Sequence, residues 1–168
     1  MSVNLSLPHL IVIPEDDANR EIANGFRLLV EKNARQFWIK KPARGWPKGK
    51  EELVAMSEST GHLQKYKSSH AALIVDFDGK RERGSEVKRL VGEGVRDRVF
   101  VIGVLTEPEK LRNATGIKFE QLGRQIAEGC KDSSIDFWQH DLLVHNIEEI
   151  RRLSGAVRDI FFNGTNII

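Results

Sequence analysis

The alternation of four strand-like runs with longer segments of helical periodicity constrains the fold of this chain most strongly. The runs are Leu10–Ile13, Arg35–Lys41, Ala71–Val75 and Val99–Leu105. The first, third and fourth are almost continuously apolar, which is typical of strands buried on both faces. Alternating strands and helices favour a parallel sheet connected by right-handed crossovers. The sequence therefore predicts a three-layer α/β fold, with a mostly parallel sheet and helices on both of its faces.

Helical spacing of apolar residues is clearest in three segments, which begin near Asp17, at Phe119 and after Asn146. Between the second and third strands, residues 42–50 (PARGWPKGK) contain two prolines and two glycines, and this composition predicts an irregular loop. Residues 51–67 give a weaker helical pattern. Ser85 offers an N-cap for a further helix that carries Val87, Leu90 and Val91 on one face, and the predicted element order is β-α-β-α-β-α-β-α-α.

Composition limits the classes of protein to which the chain can belong. With 168 residues and 40% hydrophobic content, it can bury a core of its own, and we expect a single domain over residues 1–168. Its 26 basic and 24 acidic residues leave a net charge of +2, too small to attract nucleic acid or a membrane by overall charge. It has one cysteine, no apolar stretch of membrane-spanning length and no basic-then-apolar leader. These features predict a cytoplasmic protein without disulfides, and they leave the oligomeric state open.

Acidic residues follow two of the predicted strands directly. Glu15, Asp16 and Asp17 come after the first strand, and Asp76 and Asp78 come after the third. In open parallel sheets, ligands bind at the carboxyl ends of the strands. If the first and third strands are neighbours, these carboxylates converge, and they repel one another unless a cation or a proton lies among them.

Oxygen ligands without a nearby histidine or cysteine cluster favour a hard ion such as Mg²⁺ or Mn²⁺. We therefore predict a metal site made by Glu15, Asp76 and Asp78, and a role in phosphate chemistry. A simpler interpretation is also open. Asp16 and Asp17 are favourable at the start of a helix, and Asp78-Gly79 is a typical turn.

Three segments resemble the Toprim domain of topoisomerases, primases and the overcoming-lysogenization-defect nucleases. They are IPEDDANREIANGF (13–26), LIVDFDGK (73–80) and VLTEPEKLR (104–112), and they are most similar to small stand-alone proteins related to those nucleases. The resemblance implies a Rossmann-like sheet and makes Glu15 the family's glutamate and Asp76 and Asp78 its D-x-D motif. Glu107 or Glu109 then corresponds to a further acidic motif of some relatives. These matches imply Mg²⁺-dependent hydrolysis of phosphodiester bonds in nucleic acid, with Glu15, Asp76 and Asp78 as catalytic residues.

Two other functions fit the same residues. The acidic pocket also looks like that of a response-regulator receiver domain, with Asp76 as the phosphate acceptor and Thr106 as the hydroxyl residue after the fourth strand. The expected lysine of a fifth strand, followed by proline, is not evident in the sequence. The resemblance to Toprim proteins also allows a non-catalytic interaction module that works with a partner ATPase.

Basic residues cluster after the second predicted strand. The basic residues around Trp46 are Lys40, Lys41, Arg44, Lys48 and Lys50, a combination that suits contacts with phosphates and stacking on a base. Arg81, shortly after Asp78, is placed to neutralise a phosphate, as is Arg83 two residues later. These residues predict a nucleic-acid-binding surface beside the acidic site, although an ordinary solvated loop would have a similar composition.

Overall fold

The computed structural model describes residues 2–163, which contain one sheet of four parallel strands. The strands are β1 (His9–Pro14), β2 (Phe37–Ile39), β3 (Ser69–Ile74) and β4 (Val99–Ile102), in the order β2-β1-β3-β4. Each strand pairs with its neighbours in parallel. The predicted α/β fold is therefore confirmed, as a Rossmann-like sheet flanked by helices, and β1 and β3 are neighbours as the acidic-site hypothesis requires.

Seven α-helices accompany the strands within residues 2–163. They are α1 (Asp17–Leu29), α2 (Trp46–Ser57), α3 (His62–Lys65), α4 (Arg83–Leu90), α5 (Pro108–Thr115), α6 (Phe119–Asp132) and α7 (Ile147–Phe161). Four short 3-10 segments lie at Glu31–Gln36, Glu93–Arg98, Asp136–Gln139 and Val144–Asn146. None of the helices in the described part of the chain is long and apolar enough to span a bilayer.

The three clearest helical patterns are confirmed as α1, α6 and α7, but the prediction of a loop over residues 42–50 is wrong in its second half. Helix α2 begins there, at Trp46, with Pro47 in its first turn. Proline suits that position because the first N–H groups of a helix have no partner within the helix. The short helix α5, which also begins with a proline, was not predicted.

Alternate residues of the strands divide the core between the two faces of the sheet. In β1, Leu10 and Val12 pack with α1, α6 and α7, whereas Ile11 and Ile13 pack with residues of α2 to α4. On the first face, α1 and α6 are so close that a Cβ on Gly123 would lie 1.8 Å from the Ile22 carbonyl oxygen. This packing fixes α1, whose first turn follows the acidic end of β1.

Candidate active site at the carboxyl end of the sheet

The ends of β1 and β3 bring the two acidic segments together. Pro14 and Ile74 are register partners, and the next residue, Glu15, donates its backbone N–H to the Ile74 carbonyl at 2.9 Å. Hydrogen bonding between the β3 and β4 segments also continues past the strand ends, because Phe77 N–H donates to the Val104 carbonyl at 2.9 Å. The backbone that carries the acids is therefore held by extended pairing on both sides.

The side chain of Glu15 bonds directly to the segment after β3. Its Oε2 accepts a hydrogen bond of 2.8 Å from the backbone N–H of Asp76. Glu15 and Asp76 are both partly buried. The structure thus places these two predicted site residues in contact, as the adjacency of β1 and β3 required.

Asn19, in the first turn of α1, joins the two acidic segments through its amide. Its Nδ2 donates to Asp16 Oδ1 at 2.9 Å and to Asp76 Oδ1 at 3.0 Å, and its side chain is fully buried. Asp16 Oδ1 also accepts from the Asn19 backbone N–H at 2.8 Å, so Asp16 caps α1, as the simpler interpretation of this acid proposed. The buried Asn19 Oδ1 has no hydrogen-bond partner.

Asn19 was not among the predicted site residues. The spacing of Asp16 and Asn19 is that of a helix cap and its third residue, and this signal was available in the sequence. The bond from Asn19 to Asp76 joins residues 57 positions apart and depends on the pairing of β1 with β3.

The buried carboxyl groups hold their protons more tightly than exposed ones do. Burial raises the pKa of Asp76 to about 7, the hydrogen bond from Asn19 opposes this rise, and the charges of Asp16, Glu15 and Glu109 add to it. Burial also raises the pKa of Glu15, against the effects of the Asp76 N–H and of the Arg83 charge. Burial is thus the largest cause and the neighbouring acids add to it, an arrangement that favours the uptake of a proton or a cation.

Asp78 is held differently from the other two predicted catalytic acids. Its Oδ2 lies 2.7 Å from Nη2 of Arg83, and Nη1 of the same arginine donates to the Asp76 carbonyl oxygen. Asp78 has φ +50° and Gly79 has φ +75°, so the chain turns here as the alternative interpretation proposed. Arg83 is only 6% exposed and neutralises Asp78, so the predicted contact with a phosphate stays a prediction and would require this ion pair to open.

The described residues fit a magnesium site with few protein ligands. Within residues 2–163, no three His, Cys, Asp or Glu side chains are grouped so as to hold a metal ion. Glu15 and Asp76 nevertheless present partly buried carboxylates, with the unpaired Asn19 Oδ1 nearby. Mg²⁺ commonly uses one or two carboxylates together with water and substrate oxygens. A three-carboxylate set would require Asp78 to leave Arg83.

An open cleft of about 570 Å³ adjoins the acids. It is lined by Glu15, Asp16, Asp17, Arg20, Lys41, Pro42, Arg44 and Gly45. The backbone N–H groups of Arg44 and Gly45 both donate to the Glu15 carbonyl, at 2.8 and 3.3 Å, and they tie the segment after β2 to the end of β1. The structure therefore brings two of the predicted phosphate-binding residues, Lys41 and Arg44, to the rim of the acidic site.

The other predicted nucleic-acid-binding residues lie elsewhere. Lys40 forms an ion pair with Glu52. The guanidinium of Arg83 and the ammonium of Lys50 lie over the ring of Trp46, 4.7 and 5.6 Å from its centroid. Lys48 and Arg81 are exposed and do not line the acidic cleft. Only part of the basic cluster thus surrounds the acids.

The other strand ends add two further groups to this edge of the sheet. Glu109, in the first turn of α5, is close enough to raise the pKa of Asp76, whereas Glu107 is half-exposed and lies 3.8 Å from Lys110. Thr106, which follows β4, has a buried hydroxyl without a hydrogen-bond partner. Of the two candidates for a further acidic motif, Glu109 is the one whose charge contributes to the raised pKa of Asp76, and its contribution is the smallest.

Comparison of the chain with protein-family models, with curated proteins and with solved structures finds no match.

Proposed function

We propose that this protein hydrolyses phosphodiester bonds in nucleic acid with the help of a divalent metal ion. The observation that supports this most is the contact between Glu15 and Asp76 at the ends of adjacent parallel strands, in a partly buried site where the pKa of both acids is raised. Lys41 and Arg44 border the same cleft and supply positive charge for a phosphate backbone.

In this proposal, Glu15 and Asp76 hold the Mg²⁺ or Mn²⁺ ion, and Asn19 keeps the Asp76 carboxylate in place through its amide. The ion would supply a Lewis acid that polarises the phosphoryl oxygen and stabilises the charge of the transition state. The chain has its only tyrosine at position 66, beyond the end of α3 and away from the acids, so water is the proposed nucleophile. A carboxylate of the site that is not itself bound to the ion can accept the proton of that water.

Asp78 has a conditional role in this proposal. The resemblance to Toprim proteins makes it the third acid, and its exposed carboxylate is now bonded to Arg83. It can join the ion only if that bond opens. Substitution of Asp78 is therefore expected to reduce cleavage less than substitution of Glu15 or Asp76.

The proposal is tested by cleavage assays with plasmid and single-stranded substrates in Mg²⁺ and in Mn²⁺. Glu15→Gln and Asp76→Asn should each reduce the rate about a hundredfold or more, since each removes a ligand charge. Asp17→Asn is the matched control, because Asp17 lines the same cleft and is exposed. Cleavage by Asp76→Asn at the wild-type rate would contradict the proposal.

A receiver-like phosphate acceptor is the second candidate, and the buried, unpaired hydroxyl of Thr106 at the end of β4 favours it. Against it, the sheet in residues 2–163 ends at β4, with no fifth strand to carry a lysine. A small phosphodonor separates the two functions. A receiver would acquire a base-labile phosphate on Asp76 and would tolerate Asp78→Asn, whereas a nuclease would acquire none.

A folded, metal-supplied protein that neither cleaves nor becomes phosphorylated would favour the interaction module. Co-purification of a partner ATPase with the wild-type chain would then be the test of that function.

A further inference from the structure

Trp38 is a large apolar side chain that the fold leaves open to solvent. It is the central residue of β2, which is an edge strand, and it is 36% exposed. The ammonium of Lys40 lies 5.9 Å from the centroid of its indole ring. An exposed aromatic ring beside a lysine is the combination by which proteins bind a base and its phosphate.

Trp38 is connected to the acidic site by a second cleft. This cleft has a volume of about 630 Å³ and is lined by Trp38, Ile39, Lys40, Lys41, Pro42, Ala43 and Glu52. It shares Lys41 and Pro42 with the acidic cleft. The two clefts therefore adjoin, and together they lead from Glu15 past Lys41 to Trp38.

The register of the sheet sets the distance along this path. Trp38 pairs with Ile11, and Glu15 lies four residues further along the β1 segment, which corresponds to about 13 Å of extended chain. A base at Trp38 and a phosphate at Glu15 would thus belong to different nucleotides of one strand. The cleft that joins them carries Lys41, which is exposed.

The tryptophan that the sequence favoured for stacking is less available. Arg83 and Lys50 lie over the Trp46 ring, and Arg83 is itself held by Asp78. A base would have to displace at least one of these cations to stack on Trp46. Trp38 has one cation over its ring, Lys40, which is ion-paired with Glu52, and within residues 2–163 no arginine lies over this ring.

We propose that the two clefts form a binding track for single-stranded nucleic acid, in which a base stacks on Trp38 and the adjoining phosphates lie along Lys41 and Arg44. A single strand is specified because a duplex hides the faces of its bases, whereas an unpaired base can lie flat on an indole ring. The proposal rests on the proposed function for the reacting phosphate at Glu15, but the track itself makes a separate prediction about binding.

The track is tested by binding of a fluorescein-labelled oligothymidylate to the full chain in EDTA, where cleavage is prevented. Trp38→Ala should weaken binding at least about fivefold, and Trp38→Phe should restore part of the loss, because a phenyl ring still offers a face on which a base can stack. Leu90→Ala is the matched control and should bind like the wild type, because Leu90 is exposed on α4 and lies outside both clefts. Thermal melting of each variant verifies that it is folded.

A second comparison tests the phosphate contacts. Lys41→Gln should weaken binding and flatten its salt dependence, since a phosphate contact releases counterions. Lys131→Gln should leave both unchanged, because Lys131 is exposed on α6 and lies outside both clefts.

Wild-type affinity in Trp38→Ala would overturn the track, as would equal binding of a matched duplex that is insensitive to Trp38. These outcomes are distinct from a failure of the proposed function. If the wild type binds the oligonucleotide through Trp38 but does not cleave it, the track stands and the proposed function fails. If cleavage depends on Glu15 and Asp76 but binding does not depend on Trp38, the active site stands and the track fails.

Discussion

The polar cluster along the outer edge of β4 and the acidic site at the ends of β1 and β3 both contain buried carboxylates, but they are neutralised to different degrees. In the β4-edge cluster, Glu149 Oε2 lies 2.7 Å from Nζ of Lys88 and 2.8 Å from Nη1 of Arg152. Its Oε1 accepts a 3.1 Å hydrogen bond from the Val101 backbone N–H. The carboxylate is thus bonded to two cations and to the edge of the sheet.

Asn146 continues the same cluster towards the end of β4. Its Oδ1 accepts from the Gly103 N–H at 3.1 Å, and its Nδ2 donates to the Gly103 carbonyl at 2.8 Å. Side chains at the start of α7 therefore bond the backbone groups that a fifth strand would bond. An edge closed in this way is protected from pairing with other chains.

In the acidic site, the carboxylates of Glu15 and Asp76 are not paired with cations in this way. The carboxylates of Glu15 and Asp76 receive hydrogen bonds from uncharged amides, and the nearby Arg83 is bonded to Asp78. The pKa of Asp76 is raised to about 7 as a result of burial among other acids. The difference indicates that the β4-edge cluster serves stability, whereas the acidic site retains unfavourable charge that a ligand can relieve.

The largest effect should come from breaking the β4-edge cluster. Glu149→Gln should lower the free energy of unfolding by about 3 kcal/mol, because Lys88 and Arg152 would lose their shared carboxylate at a buried position. Urea unfolding measures this loss. Glu148→Gln is the control, since Glu148 is exposed, and a similar loss there would show that the comparison is wrong.

Asn146→Ala should lower the free energy of unfolding by about 2 kcal/mol, because it leaves the N–H and the carbonyl of Gly103 without partners at a buried position. The same urea experiment measures it. A cost near zero would mean that water replaces the amide, and that the edge of β4 is more open than the cluster implies.

Asp76→Asn should raise the free energy of unfolding at alkaline pH, whereas the two preceding substitutions lower it. The pKa of Asp76 is about 7 in the folded chain against an ordinary value of 3.8, so the folded state binds more protons between these values. Its contribution to stability therefore falls as the pH rises through this range. At pH 8 the variant should be about 1–2 kcal/mol more stable than the wild type, after allowance for partial exposure.

The gain in Asp76→Asn should disappear at pH 4, where the wild-type carboxyl is protonated in the folded state. Burial lowers the pKa values of His62 and His70 to about 4. These two groups therefore make the stability of the folded chain rise with pH over much of the same range. The difference between variant and wild type separates Asp76 from these histidines. Asp97→Asn, at an exposed position, is the control for the substitution itself.

The smallest change in the free energy of unfolding should come from adding Mg²⁺. Mg²⁺ at about five times its dissociation constant should stabilise the wild type by about 1 kcal/mol at pH 8. The shift should be smaller at pH 5.5, where protons compete for Asp76, and absent in Glu15→Gln. Equal stabilisation of that variant would place any bound ion away from the acidic site.

The acidic site was partly predictable because strand ends and acidic residues are both visible in the sequence. Glu15 and Asp76 were expected to meet, and the pairing of β1 with β3 brings them into contact. The engagement of Asp78 by Arg83 was not predicted although only five residues separate them, because the pattern did not show that the arginine folds back into the interior. The exposure of Trp38 was also missed, since an aromatic residue inside a strand is normally buried.

Local periodicity determined by itself the α/β class, the positions of α1, α6 and α7, and the acids at the ends of two strands, because these features depend on residues close together in the chain. Which acids receive a cation was decided only by the tertiary structure. Glu149 meets Lys88 and Asp76 meets Asn19 across 61 and 57 positions. Residues so far apart in the sequence meet only when the helices pack on the sheet. The pKa of each carboxyl group then depends on the charge and burial that this packing creates.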